Sequence, residues 1–292
     1  MKSSALKKKT NLFDVINVII LLVFALCSVY PFIYTIASSL NDAMDSMYGP
    51  VWLIPRKFTL SSYIVVLSDK RLYTSFINTL SATVISLVLG LLLTSCVAYA
   101  ISSKRLKCKK FFWYYNLITM FIKGGMIPMY MVIVLLNLYD NFMVYFLPSC
   151  YSVYNMIVIS NFFKSIDDSL YEAAVVDGAG ELTIWLQIFM PLSKPVLATV
   201  GLWIVVGKWN AYMTTMIYTG KHESIWTLQY YLMRLIREGD MSGAVNSEYY
   251  GEVSSQSLSF AAIVISTIPI FCLYPFVSKY FTKGIMMGSI KG

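Results

Sequence analysis

Apolar residues along this chain gather into long blocks instead of alternating with polar ones. There are six blocks: Val15–Leu40, Tyr73–Ile101, Phe111–Leu136, Phe142–Phe163, Pro195–Tyr218 and Leu258–Thr282. Each is long enough to cross a bilayer as a helix, which takes about 20 apolar residues. The pattern therefore predicts an all-α membrane protein with six transmembrane helices. The first block follows Lys7, Lys8 and Lys9, as a signal peptide would. It is too long for one, and residues 38–42 make a poor cleavage site, so it reads as a retained span.

The polar segments between blocks orient the chain. With the N-terminus inside, inner segments hold fourteen Lys and Arg residues and outer segments hold seven. The basic side of a membrane protein faces the cytoplasm, so both termini are expected there. The parse is then a basic segment 1–14, a membrane domain 15–283 and a cytoplasmic tail 284–292. The outer loops, 41–72 and 219–257, are long and carry Trp52 and Trp226. The inner loop 102–110 is short and basic. The inner loop 164–194 is long, acidic and half apolar, which topology alone does not require.

Composition narrows the function classes. Charged residues make up 13% of the chain, against about 25% in soluble domains, and mean hydropathy is +0.65. A soluble enzyme is excluded. The net charge of +8 comes from clusters at block ends and not from a nucleic-acid surface. The five cysteines form no Cys-x-x-Cys pair, and His222 has no second histidine, so neither a disulfide scaffold nor a metal site is expected. A Gly-x-x-x-x-Gly-Lys-Ser/Thr phosphate loop is also missing, so the chain should not hydrolyse ATP.

The acidic inner loop carries the clearest local signals. Ser169-Leu-Tyr-Glu172 fits a capping box, and Asp177-Gly178 is a natural helix stop. A second helix should follow, with Leu182, Trp185, Leu186 and Phe189 on its apolar face, ended by Pro191 and Pro195. The loop also reads Glu172-Ala173-Ala174, three residues, Gly178, nine residues, Ile188, one residue, Met190-Pro191. This resembles the signature of ABC importer permeases, with Met190 where leucine is usual. The resemblance implies the type I ABC importer permease fold, and it makes this bracket the coupling helix that docks on a separate ATP-binding subunit. It assigns ATPase coupling to Glu172, Ala173, Ala174, Asp177, Gly178 and Ala179.

Further matches are similar to the carbohydrate branch of that family, permeases for complex oligosaccharides: Gly124-Gly-Met-Ile-Pro128, Pro191-Leu-Ser-Lys-Pro195 and Trp209-Asn210. The C-terminal Gly284-Ile-Met-Met-Gly288-Ser-Ile-Lys291-Gly resembles a tail that reaches the ATPase, which implicates Gly284, Gly288 and Lys291. The resemblance implies a bacterial plasma-membrane protein working with a second, homologous permease, two ATP-binding subunits and an extracellular solute-binding lipoprotein. ATP and Mg would sit on the partner ATPase, with no cofactor on this chain, and nucleic acid is not expected as a partner.

Polar side chains inside spans need a partner or a wet cavity. Lys208, Trp209, Asn210 and Tyr212 offer an aromatic face and polar donors within about two helical turns, a fit for sugar. Lys123, beside the two glycines, is a further candidate, and lysines would favour acidic sugars. The plainer reading packs Trp209 against a neighbouring helix, pairs Lys208 with the partner permease and lets Lys123 reach the interface. Alternatives for the whole chain are an importer of another solute on the same architecture, or a stand-alone secondary transporter. The spans hold no acidic residue away from their margins, which argues against ion coupling.

Overall fold

The computed structural model of the chain describes residues 12–241 and 254–288. Helices build these residues, with no strand and one isolated bridge between Asn41 and Phe58. In chain order they are α1 (Leu12–Ser39), α2 (Ala43–Met47), α3 (Ser61–Ser68), α4 (Lys70–Ser102), α5 (Lys109–Phe121) and α6 (Met126–Leu135). Two 3-10 turns, Phe142–Tyr145 and Leu147–Ser149, lead into α7 (Val153–Phe163). Then come α8 (Asp168–Val176), α9 (Glu181–Ile184), a π-helical turn Trp185–Phe189 and α10 (Met190–Leu192). The chain closes with α11 (Lys194–Trp209), α12 (Met213–Tyr218), α13 (Leu228–Met241) and α14 (Ser255–Gly288).

Among the described residues, only α1 and α4 are long and apolar enough to cross a bilayer unaided. The third and fourth blocks form bent pairs, and the α9–α10 run of the loop makes another with α11 of the fifth block. α5 and α6 meet at 111°, the 3-10 turns and α7 at 47°, and the α9–α10 run meets α11 at 84°. The first break falls at Ile122–Gly125, where the Gly-Gly sequence predicts one. The fifth block also differs, because α11 stops at Trp209. Asn210 turns its side-chain amide back onto the Val206 carbonyl at 2.9 Å and caps the helix end. Lys208, Trp209 and Asn210 therefore sit at a helix terminus and not in mid-span.

The described residues divide into two compact units. One takes the chain up to Ser68 together with Leu235–Ile265. In it α1 is exposed along most of its length and buries only Ala37, Ser38 and Ser39 at its end. There the buried Asn41 accepts from the backbone N–H groups of Arg56 and Lys57 and donates to Asp45 and Ser46. Arg56 pairs with Asp45 at 2.9 Å, so residues 41–57 form a hydrogen-bonded knot.

The other unit holds Asp69–Arg234 and the chain from Ser266 onward. α4 is its hub, packing most extensively on α7 and α11. Close approach explains two glycines: a Cβ on Gly90 would meet Ile204 Cδ1 at 3.1 Å, and one on Gly201 would meet Leu87 Cδ1 at 3.2 Å. Small residues at such contacts let membrane helices pack backbone to backbone. The core joins Ala98, Tyr99 and Ile101 of α4 to Met156, Ile159 and Phe163 of α7 and to the loop residues Ile184, Trp185 and Phe189. Loop 164–194 is thus an extension of the helix core.

Candidate coupling loop and translocation residues

The loop builds itself from short-range chemistry. Asp167 caps α8, its carboxylate accepting from the Ser169 N–H at 2.9 Å, and this bond holds its pKa below the ordinary carboxylate value. The cap is therefore Asp167, in place of the Ser169–Glu172 capping box the sequence suggests. An aspartate two residues before the target N–H reaches it without using Glu172, which leaves that side chain outward. α8 ends in a complete Schellman motif: Ala179 N–H donates to Ala174 at 2.9 Å and Gly178 N–H donates to Val175 at 3.0 Å. Gly178 takes φ +79°, the left-handed conformation this closure demands.

The residues assigned to coupling divide between two faces. Ala174 is buried against the core and Ala179 packs beside it, so these two hold α8 to its own subunit. Glu172, Ala173, Asp177 and Gly178 are exposed, and Val176 beside them is 86% exposed. The second limb differs from its expected face. Trp185 and Phe189 are buried together with Ile184, whereas Leu182 and Leu186 point outward. The π-helical turn, in which Met190 N–H reaches the Trp185 carbonyl, widens the helix and rotates the buried stripe onto Ile184 and Trp185. It also precedes Pro191, whose missing N–H would break a regular helix, so the run continues to Leu192 before it stops. Leu182 and Leu186, like Val176, are thereby left exposed.

Above α8 lies a cavity of about 290 Å³, lined among others by Tyr99, Lys104, Arg105, Lys164, Asp168 and Glu172. Lys104 pairs with Asp168, which raises the pKa of the lysine. Both side chains are well exposed, and such a pair is screened by solvent. The Arg105 guanidinium lies 4.1 Å over the Tyr171 ring, and Lys164 lies 5.0 Å over Trp113. Sequence reasoning missed Glu181. Its Oε1 accepts from the Tyr171 hydroxyl at 2.6 Å and its Oε2 from the Tyr99 hydroxyl at 2.5 Å. These bonds, Tyr171 first, hold the Glu181 pKa below its ordinary value, and the same contact pushes Tyr171 up. An acid in the first turn of α9 was visible in the sequence; its partner 82 residues away was not.

The proposed sugar contacts are not brought together. Trp209 is 3% exposed, donates to the Ser266 carbonyl at 3.2 Å and stands edge-on to Phe76 at 5.8 Å, the packing arrangement. Lys208 bonds the Tyr145 carbonyl and the Ser149 hydroxyl of this same chain. Asn210 and Tyr212 remain exposed, and Lys123 is exposed at the α5–α6 break. A second aromatic, Trp203, went unnoticed in the sequence. On α11 it shares a face with Val206, Gly207 and Asn210 at helical spacing, is 39% exposed, and pairs with Tyr154 of α7 at 5.6 Å. Of the tail residues, Gly284 and Gly288 fall in the last turns of α14, and Lys291 lies outside the described residues.

Comparison with known proteins places this geometry. Residues 70–287 match a family model described as "Binding-protein-dependent transport system inner membrane component". The chain is 35% identical to the polygalacturonan/rhamnogalacturonan transport system permease protein YtcP of Bacillus subtilis (strain 168), over 97% of this chain and 100% of that protein. It is 32% identical to protein LplC of the same organism, over 98% and 97%. Among solved structures, a chain of a bacterial ABC transporter involved in the import of the acidic polysaccharide alginate superposes with TM-score 0.85 and 35% identity. It covers 92% of this chain and 96% of that one. A chain of an alginate ABC transporter in complex with an alginate pentasaccharide-bound periplasmic protein has TM-score 0.58 at 14% identity, covering 91% and 92%, and shares the fold alone.

Proposed function

Because the chain belongs to the family of binding-protein-dependent transport system inner membrane components, we propose that it is the permease subunit of an ABC importer for acidic oligosaccharides. It would sit in a bacterial plasma membrane with six spans and both termini in the cytoplasm. Its partners would be a second, similar permease, two ATP-binding subunits and an extracellular solute-binding lipoprotein. ATP and Mg would act on the ATP-binding subunits, with this chain holding no cofactor. The inner loop supplies the coupling role. α8 offers Glu172, Ala173 and Val176 on one outward face, while Ala174 anchors the helix to the core behind it.

The observation that carries the substrate class is full-length likeness, at 35% identity, to permeases named for polygalacturonan and alginate transport, both acidic polymers. Lys123 adds local support. Its side chain is exposed at a break within an apolar block, with no hydrogen bond or ion pair among the described residues. An ammonium at membrane depth calls for an anionic or polar partner, and a uronate carboxylate supplies one. Trp203 with Tyr154 offers ring faces for C–H stacking on the Asn210 face of α11. The reading is tested by uptake in reconstituted vesicles carrying the full complex and its binding protein. Oligogalacturonides should accumulate on ATP addition, and neutral malto-oligosaccharides of equal length should not. Equal uptake of both would remove the acidic assignment.

A further inference from the structure

We infer that Glu181 is a positioning residue of the coupling step, tying the docking helix α8 to the inner end of α4 through Tyr171 and Tyr99. The inference rests on the coupling role proposed for α8, and it names the part that makes α8 and the spans move together.

The turn between α8 and α9 touches the core through Ala179 alone. A Cβ built on Gly178 or Gly180, on either side of it, would meet nothing within 4 Å, so the backbone is open at both glycines. Short glycine turns of this kind absorb backbone rotation as hinges. Beside the anchor that Ala174 and Ala179 give, a push on α8 from a docked partner can still flex the turn at these glycines, and that loss is limited by a link across the turn. Glu181 spans it. The residue opens α9, yet neither carboxylate oxygen is used to cap that helix; one takes the hydroxyl of Tyr171 on α8, the other that of Tyr99 on α4. Hydrogen bonds to an ionised acceptor are short and about twice as strong as neutral ones.

Both phenols are themselves fixed. The Tyr99 ring is buried edge-on against Phe189 at 5.0 Å and Phe163 at 6.4 Å, in the core that α4 shares with α7. The Tyr171 ring carries the Arg105 guanidinium at 4.1 Å, and Arg105 lies in the short loop after α4. Displacement of α8 is thus delivered to the last turn of α4, the helix on which α7 and α11 pack. Glu181 is ionised at neutral pH as any glutamate is, and the depressed pKa carries that charge to lower pH. Its stabilisation is present above the ordinary value of 4.5 and is lost as pH falls through the lower, folded value.

The test uses the purified full complex with Glu181→Gln, Tyr99→Phe and Tyr171→Phe, and with Glu172→Ala as reference. Tyr99→Phe keeps the packed ring, so it removes the tie without opening the core. Three quantities are read: co-purification of the ATPase, KM for ATP, and the ratio of substrate-stimulated to basal ATP hydrolysis. For Glu181→Gln the ratio should fall about tenfold, as for loss of a charge-assisted bond, while co-purification and KM stay at wild-type values. Each Tyr→Phe should show part of that loss, and Tyr99→Phe should add nothing once Glu181→Gln is present. An unchanged ratio in Glu181→Gln, beside an uncoupled Glu172→Ala, would overturn the inference and leave the coupling reading standing. Loss of co-purification in Glu181→Gln would also overturn it, making the residue a structural prop of the docking surface. An unchanged Glu172→Ala would instead remove the coupling reading itself, and the inference with it.

Discussion

Replacing Glu172 by alanine, or Gly178 by valine, is expected to leave the permease in the membrane and to cut its response to ATP. Both residues lie in the inner loop and on its exposed side, so neither change disturbs the packing of α4, α7 and α11. Glu172 makes no hydrogen bond or ion pair among the described residues, and it is available to a cation of the ATPase. Truncating one member of a buried charged contact costs about 2–5 kcal/mol, most of it from the partner left unpaired. That corresponds to docking weakened about 30-fold or more. Gly178→Val acts differently. The space around Gly178 is open, so the cost is conformational: a β-branched residue is forced to φ +79°, at about 1–2 kcal/mol. The Schellman closure then opens and α8 loses its end. Stimulated ATP hydrolysis and ATPase co-purification in the detergent-purified complex measure both; wild-type values for both variants would remove the docking assignment.

Trp209→Ala is expected to be the most damaging single change to the permease itself. The indole is 3% exposed, bonded to the Ser266 carbonyl and set edge-on to Phe76. Truncating a buried tryptophan costs about 3–5 kcal/mol through lost burial and the cavity left behind. Yield and thermal midpoint of the purified complex should fall sharply, with uptake lost in proportion. Trp203→Ala is the informative counterpart. Its ring is partly exposed on the Asn210 face of α11, so assembly should survive while substrate uptake weakens by a stacking contact of about 1 kcal/mol. Intact assembly with selective loss of uptake in Trp209→Ala would return that residue to the translocation path.

What the sequence reveals about this molecule follows the range of the forces involved. The apolar blocks are legible because membrane burial acts on every residue of a span, and α1 and α4 appear where the pattern puts them. Positions 122–125 are also legible, because the Gly-Gly pair marks the break between α5 and α6. The helical bracket 168–192 can be read in outline from local turn chemistry, down to the positive φ of Gly178. Side-chain direction is harder. Leu182 and Leu186 match helical periodicity as well as Ile184 and Ile188 do, and only the π-helical turn decides which pair faces inward. Trp209 looks like a sugar platform in the sequence until Ser266 and Phe76 claim it, and nothing in the local pattern singles out Trp203 instead. The Glu181 tie joins positions 99, 171 and 181 through tertiary contacts that no local pattern encodes.

The central claim is that α8 is the surface on which a separate ATP-binding subunit docks. It is tested most directly by introducing a photo-reactive amino acid at position 176, at the exposed end of α8, in the assembled complex. Val176 is 86% exposed and outside the core, so the substitution leaves the fold intact. The same residue placed at position 48, where Tyr48 is 89% exposed on the outer loop, serves as the comparison. Illumination should cross-link position 176 to the ATP-binding subunit and leave position 48 unlinked to it. A cross-link to that subunit from position 48, or none from position 176 in a complex that hydrolyses ATP in response to substrate, would contradict the account.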